Sequence, residues 1–179
     1  MTLASYITLL RILLIIPIIF FSSLQDSFFN YLALILFLIA GLTDYLDGYI
    51  ARKTQRVTGL GALLDLLADK LLVSLVLIWL LFINNSLVLI IPILIIVSRE
   101  LIISSLRQYA IESKKRIEVT MLGKGKTTIH FLSISLIIIS PEFGNNFYIA
   151  SILFIWVSAF ISIISLYHYV NSTIKNFKL

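Results

Sequence analysis

The sequence predicts an all-α integral membrane protein: a bundle of six transmembrane helices with both termini on the cytoplasmic side. Hydrophobic residues make up 60% of its 179 positions and charged residues only 13%, and the mean hydropathy is +1.05. These values lie far outside the range of a soluble domain. The apolar stretches are also continuous rather than alternating, which favours helices over a closed barrel, the other architecture that satisfies its backbone in lipid.

A requirement of about 20 apolar residues per span places six runs, at residues 7–23, 28–50, 60–83, 86–111, 122–140 and 147–170. They fill the chain, so residues 1–179 form a single domain. The first run contains Arg11 and is followed by no convincing small-x-small cleavage site, so it is expected to stay as a helix and not to be removed as a leader. The second and third carry aspartates at their adjoining ends. The fourth contains Pro92, expected to kink it, and the pair Arg99-Glu100. The fifth reaches full length only if it begins near Leu122 with Lys124 and Lys126 snorkelling outward. The sixth carries His168 near its end, at the interface.

Charge sets the orientation. Arg52, Lys53 and Arg56 lie in the second connection, Lys114, Lys115, Arg116, Lys124 and Lys126 in and beside the fourth, and Lys175 and Lys178 in the tail. The connections around Asp26, Asn84-Asn85 and Glu142 contain no Lys or Arg. The positive-inside rule then puts the termini and the aspartate-bearing ends in the cytoplasm. The net charge of +5 is gathered on one membrane face, where it suits anionic lipid. Without a soluble basic domain, a nucleic-acid partner is not expected. The absence of cysteine excludes disulfides, thiolate metal sites and Cys nucleophiles.

Residues 43–70 read TDYLDGYIARKTQRVTGLGALLDLLADK and set four aspartates, Asp44, Asp47, Asp65 and Asp69, in an oily chain. An ionised group at membrane depth costs at least ~2.5 kcal/mol on the most lenient scale, so such a cluster calls for a compensating partner. At helical spacing Asp44, Asp47 and Ala51 share one stripe with Gly48 beside them, and Gly61, Asp65 and Asp69 follow at i, i+4 and i+8. Two carboxylate-bearing faces joined by a short basic loop can close on one site. Oxygen ligands alone favour Mg²⁺, Mn²⁺ or Ca²⁺ over zinc. Four carboxylates suit two ions sharing bridging ligands, the arrangement used in phosphoryl displacement. Gly48, Ala51 and Gly61 would let a nucleotide approach the backbone closely. The plain alternative is interfacial salt bridging of the aspartates to Arg52, Lys53, Arg56 and Lys70. Another is a cation path through the bilayer, against which the aspartates cluster toward one membrane face.

These residues fit D-x2-D-G-x2-A-R-x8-G-x3-D-x3-D at every fixed position: Asp44, Asp47, Gly48, Ala51, Arg52, Gly61, Asp65 and Asp69. In this the chain resembles the CDP-alcohol phosphotransferases, membrane enzymes of six helices that displace CMP from a CDP-activated alcohol with a second alcohol. The resemblance implies that Asp44, Asp47, Asp65 and Asp69 hold a dinuclear Mg²⁺ site, with Mn²⁺ as the alternative. It further implies that Asp69 is the general base, and that Asp44, Asp47, Gly48, Ala51, Arg52 and Gly61 line the nucleotide. A homodimer is implied by the family as well.

Leu67-Ala68-Asp69-Lys70-Leu71-Leu72, Arg99-Glu100 with Leu106-Arg107, Gly123-Lys124-Gly125-Lys126-Thr127, and the opening Thr8 and Arg11 resemble the branch that joins CDP-diacylglycerol to glycerol 3-phosphate. A phosphorylated acceptor needs cations at the cytoplasmic interface, and Arg99, Arg107, Lys124 and Lys126 are the candidates. Their bland reading is interfacial anchoring. Serine, inositol phosphate or phosphatidylglycerol are the alternative acceptors. Leu66 stands where the family has proline, Thr54 where it has tryptophan, and Ala4-Ser5 where Pro-Asn is common; none of these is a presumed ligand. His130, mid-membrane in the fifth run, is expected to be satisfied by a neighbouring helix.

Overall fold

The computed structural model describes the backbone of residues 3–54, 59–112 and 121–177, with side chains described for 6–43, 64, 66–110, 125 and 127–174. Among these residues the structure is all helix: α1 (Leu3–Ser23), α2 (Ser27–Thr54), α3 (Gly59–Asn84), α4 (Leu87–Glu112), α5 (Met121–Ile139), a 3₁₀ turn (Ser140–Glu142) and α6 (Asn145–Phe177). The six apolar runs therefore coincide with the six helices, with α6 extending seven residues beyond the run at its C-terminal end. Four helices hold segments long and apolar enough to cross a membrane, Tyr6–Ser23, Leu66–Asn84, Leu87–Ala110 and Asn145–Ile174. The apolar parts of α2 and α5, Ser27–Thr43 and Thr127–Glu142, are shorter. Both helices are lengthened by polar residues at the ends that carry the motif and the lysines. Pro17 and Pro92 lie inside continuous helices.

Helices α1 and α2, α3 and α4, and α5 and α6 pack against each other in sequence, while α1 also packs on α3, α4 on α6 and α2 on α5. Each hairpin turns tightly. Gln25 and Asn85 adopt left-handed backbone at φ 52° and 44°, and Gly144 does so at φ 79°. The Asp26 carboxylate accepts from the Phe28 amide at 3.0 Å and caps α2. The three turns lie at one end of the bundle. Ser27 donates to Glu142, and Asn30 Nδ2 donates to Glu142 Oε1 at 2.7 Å, tying the first turn to the third. Asn84 shares a cleft of about 460 Å³ with Pro141, Gly144 and Tyr148, joining the second turn to the third. Hydrogen bonds from Asn30 and Ser27 hold the Glu142 carboxyl below the usual carboxylate range. By elimination, the C-terminal ends of α2 and α4 and the N-terminal ends of α3 and α5 share the opposite end.

The polarity of the molecule is inverted relative to a soluble protein. Ile15, Ile18, Phe37, Leu72, Ile96 and Ile134 are buried between helices, yet so are Arg11, Arg99, Glu100, His130 and a series of serines. The outer surface carries Leu13, Ile16, Phe20, Ile78, Phe82, Leu101 and Phe160. An apolar exterior of this extent belongs in lipid. Where α2 meets α5, the Phe37 and Phe131 rings stack with centroids 4.8 Å apart. Gly41 permits that approach, because a Cβ there would meet Phe131 Cε1 at 2.4 Å.

Candidate active site

The eight-position motif is divided between the C-terminal half of α2 and the N-terminal half of α3. Asp44, Asp47, Gly48, Ala51 and Arg52 fall on α2, and Gly61, Asp65 and Asp69 on α3. Both halves thus belong to the end of the bundle opposite the three tight turns. The side chains of Asp44, Asp47, Arg52 and Asp65, and those of Lys124 and Lys126 near the start of α5, lie outside the described residues, as does the structure of positions 55–58.

Asp69 is described. It lies ten residues into α3, about 15 Å along the axis from Gly59 at 1.5 Å per residue. Its carboxylate is partly exposed, and Lys70 Nζ stands 3.3 Å from Oδ2. Lys70 makes a closer ion pair with Glu100 Oε2 on α4. The other oxygen of Glu100 pairs with Arg99 Nη1 at 3.0 Å, and Arg99 Nη2 donates to Ser165 Oγ on α6 at 2.6 Å. His130 Nε2 on α5 is 3.8 Å from Glu100 Oε1. The imidazole is itself held by α6, with Nδ1 on Ser158 and Nε2 3.2 Å from Ser162 Oγ. One polar chain thus runs from Asp69 on α3 through Lys70, Glu100 and Arg99 to Ser165 on α6, and His130, bonded to α6, stands beside Glu100 at a distance beyond a hydrogen bond.

The expected cationic set divides here. Arg99 is 3% exposed, with its guanidinium engaged by Glu100 and Ser165. Arg107, two turns along the same face, is exposed. Of the two arginines, only Arg107 is exposed in this conformation. Helix register puts both on one face, but only the packing of α6 on α4 decides which is covered.

His130 is satisfied by the neighbouring helix, as its mid-span position suggests. The sequence reading did not extract Glu100 as the bridge between Lys70 and Arg99, nor the serines of α6 as its walls. A signal was present, since Ser158, Ser162 and Ser165 recur at i, i+4 and i+7 within the apolar middle of the helix.

Among the described residues no three His, Cys, Asp or Glu side chains cluster as a metal site. The donor chemistry is nonetheless informative. The chain has no cysteine, and His130 is committed to serines. The motif therefore offers oxygen ligands, which fit a hard divalent cation.

Comparison with known proteins gives the relationship. Residues 1–164 match the CDP-alcohol phosphatidyltransferase family. Proteins named CDP-diacylglycerol–glycerol-3-phosphate 3-phosphatidyltransferase are similar along almost the full length. That of Rickettsia bellii is 37% identical over 177 residues, covering 98% of this chain and 97% of the relative. That of Rickettsia felis is 36% identical over the same length and coverage. The Haemophilus influenzae protein is 35% identical over 170 residues, covering 93% and 90%. With the aspartate motif on two successive helices and the match spanning most of its length, this chain belongs to the CDP-alcohol phosphatidyltransferase family.

Proposed function

We propose that the protein transfers the phosphatidyl group of CDP-diacylglycerol to sn-glycerol 3-phosphate, releasing phosphatidylglycerophosphate and CMP. The near end-to-end similarity to relatives named for that reaction carries the assignment. Family membership disfavours the cation-path alternative, and no observation favours another acceptor.

One substrate is a lipid and the other is soluble, so the reaction must occur where bilayer meets water. The motif-bearing end of the bundle meets that requirement. The basic connections on the same side support a cytoplasmic orientation and placement in the cytoplasmic membrane. CDP-diacylglycerol enters laterally, with Gly48, Ala51 and Gly61 packing against the nucleotide beside Asp44, Asp47 and Arg52. The acceptor hydroxyl attacks the phosphorus that bears the diacylglycerol, its proton passes to Asp69, and the bond to the CMP oxygen breaks. Asp44, Asp47, Asp65 and Asp69 would hold Mg²⁺, two ions with Mn²⁺ as a substitute, which supplies charge neutralisation to the diphosphate and the leaving CMP. Arg107, Lys124 and Lys126 bind the acceptor phosphate near the interface, with Arg99 behind them in the protein interior.

The test is CMP release by purified protein supplied with Mg²⁺, CDP-diacylglycerol and glycerol 3-phosphate. A general base contributes at least about 100-fold, so Asp69→Asn is expected to lose activity by that factor or more. Undiminished release in this variant would remove Asp69 as base. Release that depends on a different alcohol and ignores glycerol 3-phosphate would overturn the acceptor.

A further inference from the structure

We infer that Glu100 and His130 are positioning residues for the reaction: Glu100 fixes the ammonium of Lys70 beside Asp69, and His130, anchored to α6 by Ser158 and Ser162, fixes Glu100. The inference rests on the reading of Asp69 as a reacting group.

The geometry is directional. Lys70 is the immediate neighbour of Asp69, yet its closer carboxylate is Glu100, thirty positions along the chain and on another helix. A lysine side chain has four rotatable carbons and no fixed geometry of its own. Its ammonium stays near Asp69 Oδ2 because Glu100 holds it from the far side. Glu100 is in turn 4% exposed, with Arg99 and His130 both facing Oε1. A carboxylate between a lysine and an arginine could settle in several arrangements. The ring of His130 narrows them as a fixed wall, since it is 2% exposed, gripped at both nitrogens by serines of one helix, and set 3.8 Å from Oε1, too far for a hydrogen bond.

The network is also more than a stability device. A buried ion pair is commonly no more stable than apolar residues of the same volume. Two buried charged groups, a partly exposed lysine and an imidazole are nevertheless gathered along a chain leading to Asp69. Buried polar networks restrict the geometry of their members; here the Nη atoms of Arg99 are engaged while its buried Nε has no hydrogen-bond partner, and a misplacement of about 1 Å near the chemistry can cost about 100-fold in rate. Arg99 contributes to the same end through Ser165, the next polar position on the face that holds His130.

The experiment measures kcat and KM per folded molecule on full-length protein in mixed micelles, with thermal unfolding recorded in parallel. Outer-sphere orienting groups are worth about 10- to 100-fold. Glu100→Gln is expected to lower kcat within that range while KM for CDP-diacylglycerol stays within about twofold, and Glu100→Asp to recover part of the loss. His130→Leu should lower kcat about tenfold and His130→Gln, whose amide can bond both serine and carboxylate, should restore most of it. In the Glu100→Gln/His130→Leu double variant the second change should add little, because one path carries both. Should Glu100→Gln fail to fold, the His130→Leu and His130→Gln pair decides alone. Unchanged kcat in folded His130→Leu, with only the unfolding midpoint lowered, overturns the proposal, as do losses that multiply in the double variant. Asp69→Asn is the control: if it keeps full activity, the underlying reading fails and the proposal with it. If Asp69→Asn is inactive while Glu100→Gln and His130→Leu turn over normally, only the network proposal falls.

Discussion

Arg99 and Arg107 illustrate how two residues of one type on one helix face acquire different surroundings. Both lie on α4, eight positions apart, but the first is buried with its guanidinium on Ser165 of α6, and the second is exposed. An exposed guanidinium contributes to binding a soluble phosphate about equally in ground and transition states. Arg107→Ala is therefore expected to raise KM for glycerol 3-phosphate by about tenfold, roughly one charge-assisted hydrogen bond, with kcat little changed. Saturation kinetics at fixed CDP-diacylglycerol measure this, and an unaltered KM would remove Arg107 from the acceptor site. The carboxylates were legible as a group because four ionisable residues in lipid demand an explanation. Glu100 was less legible because its partner, Lys70, is adjacent to it only after α3 and α4 pack.

At the level of the helix, apolar run length located all six elements, with the C-terminal end of α6 seven residues short and the other ends closer, since the thickness of lipid sets a ruler that a single chain cannot evade. Polar ends of α2 and α6 lay beyond that ruler, and helical hydrogen bonding carried both past the apolar stretch. Contacts between helices were not legible in the same way. Gly41 is one of many small residues in apolar runs, and nothing local says that it faces Phe131. With the Phe131 ring stacked on Phe37 and unable to withdraw freely, a larger side chain at 41 must part α2 from α5. Gly41→Leu is expected to destabilise the protein by about 1–3 kcal/mol, the usual penalty of overpacking. A lower unfolding midpoint in detergent, partly restored by the further change Phe131→Ala, is the expected outcome.

For the whole molecule, the three tight turns and their few charges mark one end, and the motif with the basic connections marks the other. The chain contains no cysteine, so single thiols can report this orientation directly. Asn85→Cys, in the second turn, is expected to react with a membrane-impermeant maleimide added to intact cells, and Lys178→Cys in the tail only after the cells are opened. The reverse pattern would invert the proposed topology and put the aspartates on the wrong side for a cytosolic acceptor. The sequence by itself determined an all-helical protein of the membrane type, the placement of its apolar runs and the family motif, because run length and helical spacing are read along one dimension. Only the tertiary structure decided that Arg99 is enclosed, that Lys70 leans on Glu100 and that His130 is held by serines of α6. Those facts depend on which face of each helix meets which neighbour. In a chain apolar on nearly every side, hydrophobic periodicity does not specify that face, and complementary polar and small side chains do.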